Sequence, residues 1–340
     1  MNDRANDLVT APIRRDPAFS SIWEELVYRG AIRVSTDRAE LQRVLDGPPI
    51  TFYCGFEPTA PSLHLGNLVQ LILMRRLQLA GHHPLALVGG STGLIGDPKP
   101  SAERQMNQPE VVAGWVRDLR SQISRFLEFN GRNAAIMVNN LDWTAPMSAV
   151  EFLRDIGWHF RVGTMVKKDV VAARLTSEDD ISFAEFSYQT LQGMDFLELF
   201  RRYGCVLQTG GSDQWGNLTA GTELVRKAEG VSVHAIGTPL ITDATGRKFG
   251  KSEGNAVWLD PKMTSPEEMV QFWFEQHDSI VVDLLKTFTF LGRDEIENLA
   301  AAVADGEGSR RAHEALALEA TSFVHGPEIA LDAVRAVLRS

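Results

Sequence analysis

A histidine and a glycine stand two residues apart where a helix is expected to begin, in the stretch TAPSLHLGNLVQ from Thr59 to Gln70. The first N–H groups of a helix lack partners within it, and the helix dipole there attracts anions. His64 could donate a hydrogen bond to a phosphate, and Gly66 would let a flat ring lie against the backbone. The alternative is a surface histidine beside a mild helix defect, so this pair alone is a weak indication of an anion site.

A second stretch, TGRKFGKS at 245–252, holds two lysines three residues apart, Lys248 and Lys251. It resembles the phosphate-binding Walker loop GxxxxGK[ST], but the distance from Gly246 to Gly250 is one residue too short. The stretch also follows the last predicted strand, whereas a Walker loop precedes the first helix. The two ammonium groups could still clamp a polyphosphate. A solvated turn is the alternative.

The elements that would position these residues alternate between short apolar runs and helical patterns. Helices are predicted at 63–80, with Ser62 as N-cap, at 109–129 and at 214–230; strands are predicted at 50–56, 84–90, 134–140, 206–211 and 233–241. Such alternation indicates a doubly wound, mostly parallel α/β sheet, which binds ligands beyond the carboxyl ends of its strands. That edge would carry four polar, glycine-bearing loops, GFEPT, GGSTGLIGD, NNLDW and GGSDQWG.

The length of 340 residues favours two domains. Residues 1–260 are predicted to form the α/β domain, with a helical insertion at about 145–203 that interrupts the alternation. Residues 261–340 are predicted to form an α-helical domain, because the strand patterns stop near Ser265 and helical periodicity continues to the end.

The composition excludes several classes of protein. With 44% apolar and 23% charged residues, the chain can bury a sizeable core, and it has no apolar run long enough to span a membrane and no signal peptide. A net charge of −10 argues against a surface built for general nucleic-acid binding. Cys54 and Cys205 lie far apart, which indicates two free thiols in a reducing cytoplasm, and the histidines show no zinc-ligand spacing.

Taken together, the early HxG and the late KxxKS resemble the paired motifs of class I aminoacyl-tRNA synthetases. YCGFEPTAPSLHLGN (53–67), GGSTGLIGDP (89–98), EFSYQTLQGMDF (185–196), GGSDQWGN (210–217) and KFGKS (248–252) each resemble blocks of the bacterial tyrosyl-tRNA synthetase family, in order and at comparable spacing. The resemblance implies a Rossmann-like catalytic domain of the HUP type. It also implies an enzyme that condenses L-tyrosine with ATP to tyrosyl-adenylate and transfers tyrosine to the 3′ end of tRNA(Tyr).

The resemblance further implies where tyrosine binds. Tyr53 and Asp195 would hold the phenolic hydroxyl, and a hydroxyl with a carboxylate can satisfy both its donor and acceptor sides. Tyr188, Gln192 and Asp195 share one helix face by spacing, and the first two, with Asp97, would bind the α-ammonium group. The remaining tyrosine and ribose contacts would come from Asn140, Asp213 and Gln214.

For the second substrate, the resemblance implies ATP accompanied by Mg²⁺ and no tightly bound metal. The candidate catalytic residues are Thr59, His64, Asn67, Lys248, Lys251 and Ser252, and those expected to contact ATP are Gly55, His64, Gly66, Asp213 and Lys251. No enzyme nucleophile is needed, because positioning and charge stabilisation can supply the rate of phosphoryl chemistry.

Three positions depart from the family pattern. Position 67 is asparagine where a second histidine is common, and Glu57 stands where aspartate is usual, which leaves its contact open. The loop after GDP lacks the usual Ser-Gly-Lys/Arg, so that either Lys99 or Arg104 could replace its phosphate-binding lysine.

The resemblance implies a homodimer, with 145–175 as the segment expected to make the contact, and a chain without the small RNA-binding domain of the S4 type that usually follows. Other readings are a tryptophanyl-tRNA synthetase, a nucleotidyltransferase that makes a small adenylate, and a non-catalytic RNA-binding relative. Tyr53 and Asp195 favour a phenol as substrate, and intact His64, Gly66, Lys248 and Lys251 favour an active enzyme.

Overall fold

The computed structural model describes residues 10–98, 106–176, 180–247, 249, 256–306 and 308–339. Within these ranges one sheet contains strands β1 (Val34–Ser35), β2 (Thr51–Phe56), β3 (His83–Val88), β4 (Ile136–Asn139), β5 (Cys205–Gly211) and β6 (His234–Thr238), in the spatial order β1-β6-β5-β2-β3-β4. Strands β2 to β6 run parallel to one another, which confirms the predicted α/β sheet. The sequence patterns missed β1, which pairs antiparallel with β6 over two residues.

The helices of the described residues surround this sheet and continue beyond its last strand. They are α1 (Ile22–Tyr28), α2 (Arg38–Leu45), α3 (Leu65–Leu79), α4 (Thr92–Ile95), α5 (Pro109–Ile123), α6 (Leu141–Thr144), α7 (Ala149–Glu151), α8 (Val162–Met165), α9 (Asp169–Leu175), α10 (Phe183–Tyr203), α11 (Trp215–Glu229), α12 (Pro266–Phe274), α13 (Asp278–Phe288), α14 (Arg293–Ala304), α15 (Ser309–His325) and α16 (Pro327–Arg339). None of these helices is long and apolar enough to cross a membrane.

His64 is the N-cap of helix α3, and the prediction that Ser62 is its N-cap is wrong. The Nδ1 atom of His64 accepts from the backbone N–H of Gly66, and the Asn67 side chain accepts from the backbone N–H of His64, so the two side chains form a capping box. The Ser62 hydroxyl instead donates to the carbonyl of Leu63. Serine is the commoner N-cap residue, but here the histidine two residues later satisfies the free N–H groups.

The predicted insertion is built from short helical segments followed by one long helix. A π-helical turn (Phe152–Ile156) and a 3₁₀ turn (Gly157–His159) connect α7 to α8 and α9. Helix α10 begins at the N-cap Ser182, ends at the left-handed Gly204 and packs against α11. The boundaries of the insertion, and the division into 1–260 and 261–340, remain predictions.

Helices α12 to α16 pack together and share a core with the sheet domain. Trp273 of α12 and Phe288 of α13 are fully buried and belong to the same apolar cluster as Leu68 and Ile72 of α3. Helix α13 therefore packs directly on the helix that begins at His64. This contact connects the C-terminal helices mechanically to the candidate anion site.

A buried charged cluster reinforces the same contact. Glu25 of α1 accepts hydrogen bonds from the guanidinium groups of Arg29 (2.9 Å) and Arg76 (2.6 Å), and all three side chains are almost fully buried. Arg29 also donates to the carbonyl of Leu291, and both arginines donate to the carbonyl of Thr289. The carbonyl groups just after α13 thus accept hydrogen bonds from an arginine at the end of α1 and from one in α3.

We expect Glu25→Gln to destabilise the protein strongly, because it leaves two buried guanidinium groups without a neutralising carboxylate. Breaking a buried pair in this way costs about 3–5 kcal/mol in the free energy of unfolding. Urea unfolding monitored by circular dichroism measures this cost. Glu314→Gln, which removes an exposed pair with Arg310, is the control and should cost only a small fraction as much. Equal urea midpoints of unfolding for the two variants would contradict the stabilising role of Glu25.

Candidate active site

The predicted tyrosine-site residues meet at the carboxyl edge of the sheet. Tyr53 projects from β2, and Asn140 follows β4. Helix α10 crosses this edge and presents Tyr188 and Asp195, both of which are buried. Because parallel strands end at one edge, residues distant in the sequence form one site there.

Asp195 is a buried carboxylate with two donors. Its Oδ1 accepts from the indole Nε1 of Trp143 (2.8 Å), and its Oδ2 accepts from Nδ2 of Asn140 (3.0 Å). Burial raises the pKa of Asp195 to about 7, and both hydrogen bonds oppose this rise. Asn140 is itself held, because it also donates to Thr92 and accepts from the backbone N–H of Ser91. The carboxylate therefore has a fixed orientation.

Tyr53 lies beside this carboxylate with an unsatisfied hydroxyl. Its ring is 1% exposed and packs edge-on against Phe196, at 5.2 Å between ring centroids. Burial, followed by the nearby charge of Asp195, raises the pKa of the Tyr53 hydroxyl well above its usual value. The Tyr53 Oη atom has no hydrogen-bond partner among the described residues. A buried tyrosine hydroxyl normally has a partner, so this one indicates that a polar ligand group supplies it.

A second unsatisfied atom lies next to Tyr53 on the sheet. Gln208 of β5 is paired in register with Tyr53, so the two side chains leave the same face. Gln208 is 2% exposed, and its Oε1 likewise lacks a donor in the described part of the chain. The floor of the site thus offers a hydroxyl and an amide oxygen to a bound molecule.

Glu57, whose contact the sequence left open, is hydrogen-bonded to a side chain of α10. Its Oε2 accepts from the Tyr188 hydroxyl (2.8 Å). Burial raises the pKa of Glu57 to about 8, hydrogen bonds from Tyr188 and Thr92 oppose the rise, and the nearby carboxyl groups of Asp97 and Asp195 add to it. The other oxygen, Oε1, has no partner within the described ranges.

Asp97 is fixed by amides that follow β5. Its Oδ2 accepts from Nε2 of Gln214 (3.1 Å), and its Oδ1 accepts from Nδ2 of Asn217 (3.0 Å). Asn217 also donates to Gln214, so these three side chains form one network. The ammonium group of Lys168 lies near Asp97 and donates to the carbonyl of Gly216.

Three carboxyl groups therefore face one small region, those of Glu57, Asp97 and Asp195. Burial, to which the charges of Asp97 and Asp195 add, raises the pKa of Glu57 and so disfavours its ionisation. A cationic ligand group would relieve the repulsion among these charges. The arrangement suits a molecule that carries both an ammonium group and a hydroxyl.

The HxG stretch forms a second feature of this edge. Because Nδ1 of His64 accepts from the N–H of Gly66, a neutral imidazole carries its proton on Nε2. A Cβ atom added at Gly66 would lie 2.8 Å from Cε1 of His64, which is closer than non-bonded atoms approach. Glycine is thus required at position 66 so that the His64 ring can keep this orientation.

The chain that follows the KxxKS stretch pairs with the start of α3. The N–H of Leu65 donates to the carbonyl of Val257 (3.1 Å), and the N–H of Leu259 donates to the carbonyl of Leu63 (2.8 Å). The rings of His64 and Trp258 meet edge-on at 6.2 Å. Residues 256–259 therefore lie beside the HxG stretch. The predicted catalytic residues Lys248, Lys251 and Ser252, and the alternatives Lys99 and Arg104, lie outside the described residues.

The other predicted residues are placed along the same edge. Gly55 is exposed near the end of β2, and Thr59 lies half-buried in the loop that follows. Gln192 is half-buried, one turn after Tyr188 on the same helix face. Asp213 is exposed on a 3₁₀ turn (Ser212–Gln214) that follows β5.

The part of the chain that the structure describes contains no candidate metal centre. No group of three or more histidine, cysteine, aspartate or glutamate residues is arranged there to hold an ion. Cys54 and Cys205 are both buried and free, as predicted.

Sequence reasoning missed Trp143, Gln208 and Asn217 as site residues. Trp143 and Asn217 stand within the loops NNLDW and GGSDQWGN that pointed to this edge, so both loops carried a signal. Nothing in the sequence indicated which atoms they would contact. Gln208 lies inside an apolar strand, and a polar residue at a buried strand position was the signal that could have identified it.

Comparison with known proteins places the chain in a family. The model of "tRNA synthetases class I (W and Y)" matches residues 45–339. A tyrosine–tRNA ligase of Leifsonia xyli is 66% identical over 311 residues, which cover 92% of this chain and 70% of the relative. A tyrosine–tRNA ligase of Streptomyces avermitilis is 58% identical over 311 residues, which cover 91% of this chain and 74% of the relative.

Solved structures agree with this placement. A C-terminally truncated mitochondrial tyrosyl-tRNA synthetase of Aspergillus nidulans superposes with a TM-score of 0.84 at 30% identity, over 95% of this chain and 94% of that one. A tryptophanyl-tRNA synthetase of Encephalitozoon cuniculi shares the fold, with a TM-score of 0.65 at 14% identity, over 93% and 89% of the two chains. The chain belongs to the class I tRNA synthetases of the tryptophan and tyrosine family.

Proposed function

We propose that this chain is a tyrosine–tRNA ligase that activates L-tyrosine with ATP and transfers it to the 3′ end of tRNA(Tyr). The observation that carries the choice of amino acid is the unsatisfied Tyr53 hydroxyl beside the oriented carboxylate of Asp195. A phenol bound there would donate to Asp195 and accept from Tyr53, which satisfies both buried groups. Phenylalanine would leave the Tyr53 hydroxyl unsatisfied, at a cost of about 1–3 kcal/mol, and would give Asp195 no further donor beyond Trp143 and Asn140.

The same site offers a counter-charge to the α-ammonium group of an amino acid. We assign this role to Asp97, Tyr188 and Gln192, and add Glu57, whose second oxygen lacks a donor among the described residues. Three carboxyl groups within one region favour a cation strongly. Asn140 then acts as a positioning residue for Asp195, and Gln214 positions Asp97.

We assign the ATP site to the start of α3 and the KxxKS stretch. His64 would donate from Nε2 to a phosphate oxygen, while Asn67 fixes the helix start through its capping bond. Thr59, Lys248, Lys251 and Ser252 would bind the phosphates, with Gly55, Gly66 and Asp213 near the nucleoside. Mg²⁺ would enter with ATP as part of the substrate. The pairing of Leu65 with Val257 supports this proposal, because it places the chain that follows the KxxKS stretch next to the HxG stretch.

The chemistry needs no protein nucleophile. The tyrosine carboxylate attacks the α-phosphorus, the bond between the α- and β-phosphates breaks, and pyrophosphate leaves. A hydroxyl of the terminal tRNA ribose then attacks the tyrosyl carbonyl, and AMP leaves. The protein aligns the reactants and stabilises the charge that develops on pyrophosphate.

Amino-acid-dependent exchange of ³²P between pyrophosphate and ATP tests the proposal. We expect exchange with L-tyrosine and little or none with L-tryptophan or L-phenylalanine at equal concentration. Exchange that depends on tryptophan would favour the second activity of this family. Absence of exchange with any amino acid would refute the proposal.

We also propose a homodimer in the cytoplasm. In the segment 145–175, the apolar residues Val150, Leu153, Trp158 and Val162 are 57% to 71% exposed, and a protein interface would cover such side chains. The free thiols suit a reducing compartment. A monomer throughout the micromolar range in sedimentation equilibrium would contradict the dimer.

We expect Trp143→Phe to weaken tyrosine binding about tenfold near pH 7, because it removes a donor to a buried carboxylate while keeping an aromatic ring. The pKa of Asp195 should rise further, so the loss should shrink as the pH rises. Isothermal titration with L-tyrosine at two pH values measures both effects. Trp23→Phe in α1, outside this site, is the control. A loss that does not change with pH would indicate a merely structural role.

We expect Gly66→Ala to slow adenylate formation by about tenfold to a hundredfold, because the new Cβ displaces the His64 ring from its position for donating to a phosphate. Tyrosine binding should not change. Rapid-quench measurement of the first turnover over a range of tyrosine concentrations separates the rate of adenylate formation from the affinity for tyrosine. Gly114→Ala within α5, where the nearest neighbour of the added Cβ atom would be a side-chain nitrogen of Arg117 at 3.8 Å, is the matched control. Equal rates for both variants would refute the role of His64.

We expect tyrosine binding to release protons. The pKa of Glu57 is about 8 without ligand, and the ammonium group should lower it, so affinity should rise between about pH 6 and pH 8 and level off above the raised pKa. Isothermal titration in two buffers with different ionisation enthalpies counts the protons. Glu57→Gln should lose most of the release. Identical heats in the two buffers would show that no carboxyl group deprotonates on binding.

A further inference from the structure

A cavity of about 30 Å³ lies where the C-terminal helices contact the sheet domain. The end of α1, the second half of α3, the chain that follows β6 and the end of α13 form its walls. Much of this lining is apolar, and it includes Val69, Ile72, Leu73 and Ile241. The proposed tyrosine and ATP sites use no residue of the lining.

The ionisable side chains of the lining are all cationic. They belong to Arg29, Arg76 and Lys286, and no aspartate or glutamate of the described residues lines the cavity. Arg29 and Arg76 are each only 4% exposed. Their counter-charge is Glu25, whose carboxylate accepts from both guanidinium groups. Three cations therefore border a cavity next to one carboxylate, in a chain whose net charge is −10.

Arg76 has N–H groups that the described part of the protein does not use. A guanidinium carries five N–H groups, and two of those of Arg76 have acceptors there, Glu25 and the carbonyl of Thr289. Burial, followed by the nearby charge of Arg29, lowers the pKa of Arg76 to about 9, while the carboxylates of Glu25 and Asp16 oppose this change. The buried positive charge is therefore only partly compensated.

Lys286 brings the third cation to the same cavity. Its ammonium nitrogen lies 5.1 Å from the centroid of the Tyr28 ring, and it forms no ion pair within the described ranges. An aromatic ring attracts an ammonium group more weakly than an anion that accepts a charge-assisted hydrogen bond. An anion in the cavity would give Lys286 and Arg76 a shared partner.

The volume of the cavity limits the size of such an anion. One atom of the size of a water molecule needs about 10–15 Å³. A cavity of about 30 Å³ therefore holds about two or three such atoms. This suits a halide or a formate-sized carboxylate, and it excludes a nucleotide, pyrophosphate or an amino acid.

We propose that this cavity binds one small monovalent anion, of the size of chloride or formate, between Arg76 and Lys286. The anion accepts hydrogen bonds from the guanidinium group of α3 and from the ammonium group of α13. It thereby adds to the contact that Glu25 stabilises between the sheet domain and the C-terminal helices. The inference does not depend on the proposed function, because it concerns the junction between these two parts of the chain and not the reaction.

Crystals grown without halides and then soaked in sodium bromide test the position of the anion, because bromide scatters X-rays anomalously. We expect an anomalous difference peak within hydrogen-bond distance of Arg76 and Lys286. Lys286→Met should lose this peak. Lys262→Met, which removes an exposed lysine outside the cavity, is the matched control and should keep it. A wild-type cavity without a peak would overturn the proposal, as would an equal peak in Lys286→Met. The wild-type crystal tests the proposal even if Lys286→Met does not fold.

The line width of the ³⁵Cl NMR signal measures chloride binding in solution. The wild-type chain and Lys262→Met should broaden this signal in a saturable way as chloride is titrated. Lys286→Met should bind chloride about tenfold more weakly, because it lacks one charge-assisted hydrogen bond. Its tyrosine-dependent pyrophosphate exchange should stay at the wild-type level. Equal chloride affinity of all three proteins would show that bromide binds at crystal concentration only, and would overturn the proposal.

Discussion

A single buried carboxylate, Asp195, sets the geometry of this site. It cannot be hydrated, and Trp143 and Asn140 together supply two donors that hold its two oxygens in place. The third polar group nearby, the Tyr53 hydroxyl, has no partner among the described residues. A ligand hydroxyl between them would give Tyr53 its missing partner, and this is how the proposed site would select a phenol over a phenyl ring.

Elements from several parts of the fold bring side chains to this carboxylate. Helix α10 carries Asp195 and Tyr188, strand β2 carries Tyr53, and the turn after β4 carries Asn140. These elements come from distant parts of the sequence, and only the shared carboxyl edge of a parallel sheet unites them. The start of α3 adds a helix terminus at the same edge, where the helix dipole favours negative charge. The proposed tyrosine site and the proposed ATP site therefore lie at the same edge of the sheet.

Much of this could be predicted from the sequence, because apolar runs and helical periodicity located five of the six strands of the described sheet and the long helices. Strand β1 escaped because two residues form no pattern. The start of α3 was misplaced because propensity favours Ser62, whereas the capping bonds of His64 and Asn67 depend on the local geometry.

The site residues likewise fall into those that the sequence could predict and those that it could not. Tyr53, Tyr188 and Asp195 could be predicted because they resemble family motifs. Trp143 and Gln208 could not, because their importance lies in the atoms they meet in the folded chain. The contact of Glu57 with Tyr188 was open in the sequence for the same reason, since a residue one methylene longer finds its partner only in three dimensions.

The most direct test of the central claim compares the binding of L-tyrosine and L-phenylalanine to the wild-type chain and to Asp195→Asn by isothermal titration. The account predicts that the wild-type chain binds tyrosine far more tightly than phenylalanine and that the variant loses most of this difference by weakening tyrosine binding. Phenylalanine binding as tight as that of tyrosine in the wild-type chain, or a preference that survives in Asp195→Asn, would contradict it.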